Sequence, residues 1–137
     1  MSQQNVEIVR TSIAAYNAGD MEAALASTDP DVEWFTNAAA PDMDVFRGHD
    51  GLRKMAAMLG DVLGEVRMEA DEFLDVGDHV VVLGRLQVTG EGSGAATESR
   101  RAWVYTLRGE KIIRHRTFTG KAEALEAVGL SEQDARH

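Results

Sequence analysis

The chain has 137 residues, 44% of them hydrophobic and 27% charged, which suits one globular domain over residues 1–137 with a single core. A formal net charge of −9 argues against nucleic acid and anionic membranes as partners, and the lack of cysteine removes disulfides, thiolate nucleophiles and zinc–sulfur sites. The N-terminus is polar without a signal-peptide pattern, and the apolar runs are only a few residues long, such as Val80 to Leu83, so the expected location is the cytoplasm.

Val6, Val9, Ile13 and Tyr16 recur at helical spacing and predict an amphipathic helix over residues 3–18. Gly19 suits the position just past it, and Asp20 can cap a second, short helix from Met21 to Ser27. Asp29-Pro30-Asp31 reads as a break, Val32 to Thr36 as a short strand, and residues 37–47 as an irregular loop. Asp50 is the expected cap of a third helix whose apolar face is Leu52, Met55, Met58 or Leu59, and Val62. The period then changes to that of strands: residues 66–75, His79 to Thr89 after a turn at Gly77-Asp78, Glu98 to Leu107, and Lys111 to Thr119. Glu91 to Ala96 reads as a flexible hairpin loop. Lys121 to Val128 forms a last short helix ended by Gly129, and Ser131 to His137 a frayed tail. Three helices interrupted by one strand, followed by a meander of four strands, make an α+β fold. A curved, mostly antiparallel sheet wrapped around the helices leaves a concave cavity of the kind that takes small ligands.

Five stretches carry a family resemblance: Tyr16 to Asp20, Asp29 to Trp34, Arg47 to Gly51, Gly84-Arg85 in a long strand, and Ala124 to Leu130. Their order and spacing resemble SnoaL-like proteins of the nuclear transport factor 2-like superfamily over nearly the whole chain. The resemblance implies a cone-shaped fold with an apolar pocket, and a homodimer formed through the outer face of the sheet. It spans polyketide cyclases, ketosteroid isomerases and relatives of limonene epoxide hydrolase, so it says little about reaction.

Register decides which side chains face such a pocket. A two-residue loop at Gly109-Glu110 sets Trp103 opposite Arg116; a three-residue loop from Arg108 sets it opposite His115. The resemblance favours the second and implies Arg101, Trp103, Tyr105, His115 and Thr117 on the pocket side, with Arg85 and Gln87 from the preceding strand. Ile13 and Tyr16 would come from the first helix, and Glu33 and Phe35 from the short strand. His49 is placed at the pocket rim or at the start of the third helix.

The resemblance also implies missing chemistry. The relatives' carboxylates fall at Phe35, Gln87 and Thr117, so none of their mechanisms transfers intact. A substitute set is His115 or Glu33 as general base and Arg85 as the group that polarises a carbonyl or holds a carboxylate. Ile13, Tyr16, Phe35, His49, Gln87, Arg101, Trp103 and Thr117 complete the candidate ligand-binding set. Each has a plainer alternative: His115 on the dimer face between two arginines, Glu33 exposed, Arg85 in a structural ion pair. Arginines at 100, 101, 114 and 116 on neighbouring strands need compensating acids, a partner subunit or an anion. The four histidines show no metal-ligand spacing, and neither a metal nor a cofactor is expected. The expectation is a small-molecule-binding domain, whether a cofactor-independent lyase, isomerase or cyclase, or a non-catalytic binding or dimeric interaction protein.

Overall fold

The computed structural model describes residues 2–36, 45–90 and 96–129. In chain order the elements are α1 (Ser2–Asn17), α2 (Met21–Ala26), β1 (Thr28–Phe35), β2 (Val45–Arg47), α3 (Gly48–Leu63), β3 (Glu65–Val76), β4 (His79–Thr89), β5 (Ala96–Arg108), β6 (Lys111–Phe118) and α4 (Lys121–Ala127). Residues 37–44 of the expected loop at 37–47, most of the 91–96 loop, the tail and the Val62 side chain lie outside the described residues. Among the described residues no helix is long and apolar enough to cross a membrane.

Local chemistry sets the boundaries. Gly19 sits at φ +75°, where a Cβ is strained, and closes α1. The Asp20 carboxylate accepts from the Ala23 N–H at 3.1 Å and caps α2. Helix α3 begins at Gly48, two residues before its expected cap, so Asp50 lies in the first turn and pairs with Arg53 instead. β1 begins four residues earlier than expected and runs through Pro30. Proline is tolerated there because the ladder to β6 breaks between Thr28 and Glu33, leaving no bond for its missing N–H to make.

The six strands form one curved, open sheet in the order β2-β1-β6-β5-β4-β3. All neighbours are antiparallel except β1 and β6, which are parallel. The short β2, absent from the sequence-based expectation, pairs with β1 and takes that edge. On the concave face, Val80, Val82, Trp103, Tyr105, Ile112 and Val32 pack against Val6, Val9 and Ile13 of α1 and Leu52 and Met55 of α3. On the convex face, Val81, Ala102 and Val104 pack against Ala124 and Leu125 of α4, so the last helix covers the side of the sheet opposite to α1 and α3.

Asn17 ties the end of α1 to the edge strand β3. Its amide donates to the Met68 carbonyl at 2.8 Å and accepts from the Met68 N–H at 2.9 Å, reproducing one rung of a ladder. Gly84 is required where β4 passes a bulge in β3, because a Cβ there would stand 2.0 Å from the Glu69 carbonyl oxygen.

Candidate functional site

The hairpin between β5 and β6 turns on Gly109 and Glu110, both at positive φ, and Arg108 pairs with Lys111. An irregularity between Thr106 and Leu107 inserts one extra residue on β6. Trp103 therefore lies opposite Thr117, and Tyr105 opposite His115. Neither expected register holds, since both omit the bulge. The three-residue-loop register is off by two positions, and an even slip leaves every side chain on the same face.

A cavity of about 230 Å³ opens on this concave face. β6 supplies His115 and Thr117, β5 supplies Arg101 and Trp103, and β4 supplies Leu86. β3 supplies Val66 and Met68, and Trp34 and Thr36 close the β1 side. Tyr16 from α1 and Met55 and Leu59 from α3 form the roof. Both tryptophans of the chain are in this wall.

Trp34, His115 and Tyr105 occupy one level across β1, β6 and β5. The imidazole stacks on the Trp34 indole at 3.7 Å between centroids and 6° between planes. Tyr105 meets the same imidazole edge-on at 4.7 Å and 83°. His115 is 1% exposed, and neither ring nitrogen has a partner of good hydrogen-bond geometry among the described residues, although its own backbone offsets a small part of the burial. Burial pushes its pKa from the ordinary 6.5 down to about 3, because a charged imidazole cannot be solvated there. The ring is therefore neutral at physiological pH, with one N–H and one bare nitrogen. Burial likewise raises the pKa of Tyr16 and Tyr105, so both phenols keep their protons.

Arg101 enters the wall two residues along from Trp103, opposite Gly84. Its Nη1 donates to the Arg100 carbonyl at 2.7 Å. Among the described residues it has no carboxylate within ion-pair distance.

The structure thus brings together Tyr16, Arg101, Trp103, His115 and Thr117 from the sequence-derived set. The others lie elsewhere. Glu33 lies on the convex face, 3.4 Å from Arg114 and 3.6 Å from Arg47, because its neighbour Trp34 takes the inward position. The same alternation keeps Phe35 out of the cavity wall. Arg85 is clamped on the convex face by Asp71 at 2.9 Å and Glu98 at 3.3 Å, and Gln87 shares that face beside Glu98. Arg85 also helps hold the Asp71 carboxyl below its usual range. Ile13 is in the core between α1 and the sheet and not in this cavity's wall. His49 bonds through Nε2 to the Thr28 carbonyl at 2.8 Å, anchoring α3 to β1.

Trp34, Leu86, Met55, Leu59, Val66, Met68 and Thr36 were missed. Trp34 and Leu86 are each one residue from a polar side chain that drew attention, and the signal for them was hydrophobicity. The inward positions adjoining Phe35 and Gln87 carry Trp34 and Leu86, so the cavity wall holds no carboxylate among its described residues. No group of three or more His, Cys, Asp or Glu among the described residues could hold a metal ion.

The family model for the SnoaL-like domain matches residues 9–115. Among solved structures, TerC co-crystallized with polyporic acid is 27% identical, with a TM-score of 0.75 over 91% of this chain and 98% of TerC. An NTF2-like protein from Burkholderia thailandensis is 29% identical, with a TM-score of 0.73 over 85% of this chain and 90% of its own. An NTF2-like protein from Burkholderia pseudomallei, 24% identical, shares the fold with a TM-score of 0.75 over 92% of this chain and 98% of its own. No curated protein matches the sequence.

Proposed function

The chain belongs to the SnoaL-like domain family, and from that premise we propose that it binds a compact, mainly aromatic small molecule on the concave face of its sheet. One observation carries the reading: a fully buried imidazole, unpartnered among the described residues, on the wall of a cavity lined by aromatic and aliphatic side chains. A buried N–H without a partner costs about 1–3 kcal/mol. Both nitrogens are covered, so a ligand oxygen recovers that cost by shifting the ring toward the cavity, while Trp34, Trp103 and the aliphatic roof contribute apolar contact. The volume of about 230 Å³ suits a molecule of one or two rings. TerC, the relative co-crystallized with polyporic acid, supports a ligand site on this scaffold.

The chemistry favours binding over strong-base catalysis. A group with a pKa near 3 accepts a proton poorly at neutral pH, and no acid lines the wall among the described residues. A second reading, a cofactor-independent lyase, isomerase or cyclase, is favoured by the Arg101 guanidinium on that wall, whose N–H donors suit a developing oxyanion. Exchange of the α-protons of 2-tetralone, followed by NMR, tests it; an acceleration unchanged in Arg101→Leu would refute it.

The two indole N–H signals of Trp34 and Trp103 report on binding directly, since the chain has no other tryptophan. Small aromatic compounds are expected to shift both. Thr117→Phe, which fills the cavity without adding an indole, is expected to abolish the shifts, and a filled variant that binds like the wild type would sink the reading. Pairing of two copies through the part of the convex face left free by α4, around Phe35, Arg114 and Arg116, is proposed as well. Sedimentation over a range of concentrations tests it, and a monomer throughout would refute it.

A further inference from the structure

The acidic and basic side chains of this protein are unevenly divided between the two faces of the sheet. The chain carries 23 Asp and Glu against 14 Lys and Arg. On the convex face most of the arginines meet acids: Arg85 has Asp71 and Glu98, and Arg114 and Arg47 share Glu33, while Arg116 has no acid within ion-pair distance among the described residues. On the concave face the cavity wall holds one arginine and, among its described residues, no acid. A guanidinium is charged at all relevant pH values and carries five N–H donors, of which Arg101 commits one to the Arg100 carbonyl. The cavity is thus locally cationic inside a protein of net charge −9, so a bound anion is favoured by the wall and not by the protein as a whole.

Spacing adds a second constraint. Arg101, Trp103 and Tyr105 are successive inward residues of β5, and Tyr105 is level with His115. Four residues of strand separate Arg101 from that level, about 13 Å along the backbone. Trp103 is the inward residue between them. The guanidinium and the imidazole therefore stand toward opposite ends of an aromatic surface.

We propose that the cavity selects a planar aromatic ligand bearing an ionised oxygen acid, with Arg101 as counter-ion and a second polar atom or ring edge directed at His115. This inference rests on the small-molecule-binding reading and names the class of ligand. A carboxylate, enolate or phenolate shares the required chemistry, two oxygens or one delocalised charge accepting the forked N–H donors. Arg101 is only partly buried, so the preference is moderate.

The test compares 2-naphthoate with its methyl ester, which has the same ring system without the charge, by calorimetry and by the indole N–H signals of Trp34 and Trp103. Wild-type protein is expected to bind the carboxylate roughly tenfold more tightly than the ester. Arg101→Leu is expected to bring the two affinities level while the ester still shifts both indole signals, which shows that the variant is folded and its cavity intact. Arg101→Lys should keep part of the preference, and added salt should narrow it. Equal affinities in the wild type, or a carboxylate preference that survives Arg101→Leu, would overturn the inference and leave the binding reading standing. Failure of both probes to shift either indole would overturn the two together.

Discussion

Replacing His115 by phenylalanine should make this protein more stable and a poorer binder. The imidazole is 1% exposed, and both nitrogens lack partners among the described residues. Phenylalanine keeps the ring that stacks on Trp34 and meets Tyr105, and its extra volume can enter the adjoining cavity. It removes the unsatisfied polar group, which costs about 1–3 kcal/mol when buried. A net gain of about 1–2 kcal/mol follows, or roughly 3–8 °C in Tm for a chain of this length. His115→Ala gives the contrast: it discards the stack, enlarges the cavity and should lose about 2–4 kcal/mol. Acid supplies a further check. The folded imidazole has a pKa of about 3 against an ordinary 6.5, so between those values the unfolded chain binds the extra proton. This contribution falls as pH drops below about 6.5 and is flat above it, with a slope approaching about 1.4 kcal/mol per pH unit. The stability difference between His115→Phe and wild type should therefore be constant above pH 7 and widen in favour of the variant toward pH 4. Calorimetry and urea unfolding measure both effects. A phenylalanine variant destabilised by more than about 1 kcal/mol, or a difference independent of pH, would refute the premise that the buried imidazole is neutral and unpartnered.

Other outcomes follow from the same geometry. Gly84→Ala places a Cβ 2.0 Å from the Glu69 carbonyl oxygen and should cost about 2–3 kcal/mol, read as a lower thermal midpoint. Asn17→Ala removes both side-chain bonds to the Met68 backbone; a loss of about 2 kcal/mol and faster exchange of the Met68 amide are expected. Arg85→Gln and Glu33→Gln break only half-exposed pairs on the convex face, so each should change stability by less than about 1 kcal/mol and leave aromatic ligand affinity within about twofold. A tenfold loss of affinity in either would show that the convex face takes part in binding.

The sequence by itself determined the element order, and for physical reasons that are local. Helical spacing of Val6, Val9, Ile13 and Tyr16, the caps at Gly19 and Asp20 and the turn at Gly77 each act over a few residues. Alternation along β5 and β6 left two registers open, and the family resemblance favoured the one that sets Arg101, Trp103, His115 and Thr117 on one face, a parity kept through the bulge because that register moved by an even number. Tertiary structure decided the rest. Arg85 read as a site residue because a charge in an apolar strand looks costly, and Glu33 because it was assigned to the pocket side of the short strand. Arg47 lies on β2, Arg114 on β6, Asp71 in a β3 bulge and Glu98 on β5, all distant in sequence. Only folding brings them to the convex face, where they pair with those charges. With Glu33 and Arg85 paired there, Trp34 and Leu86 turn inward, and the cavity is left with a neutral imidazole and one arginine that no described acid neutralises.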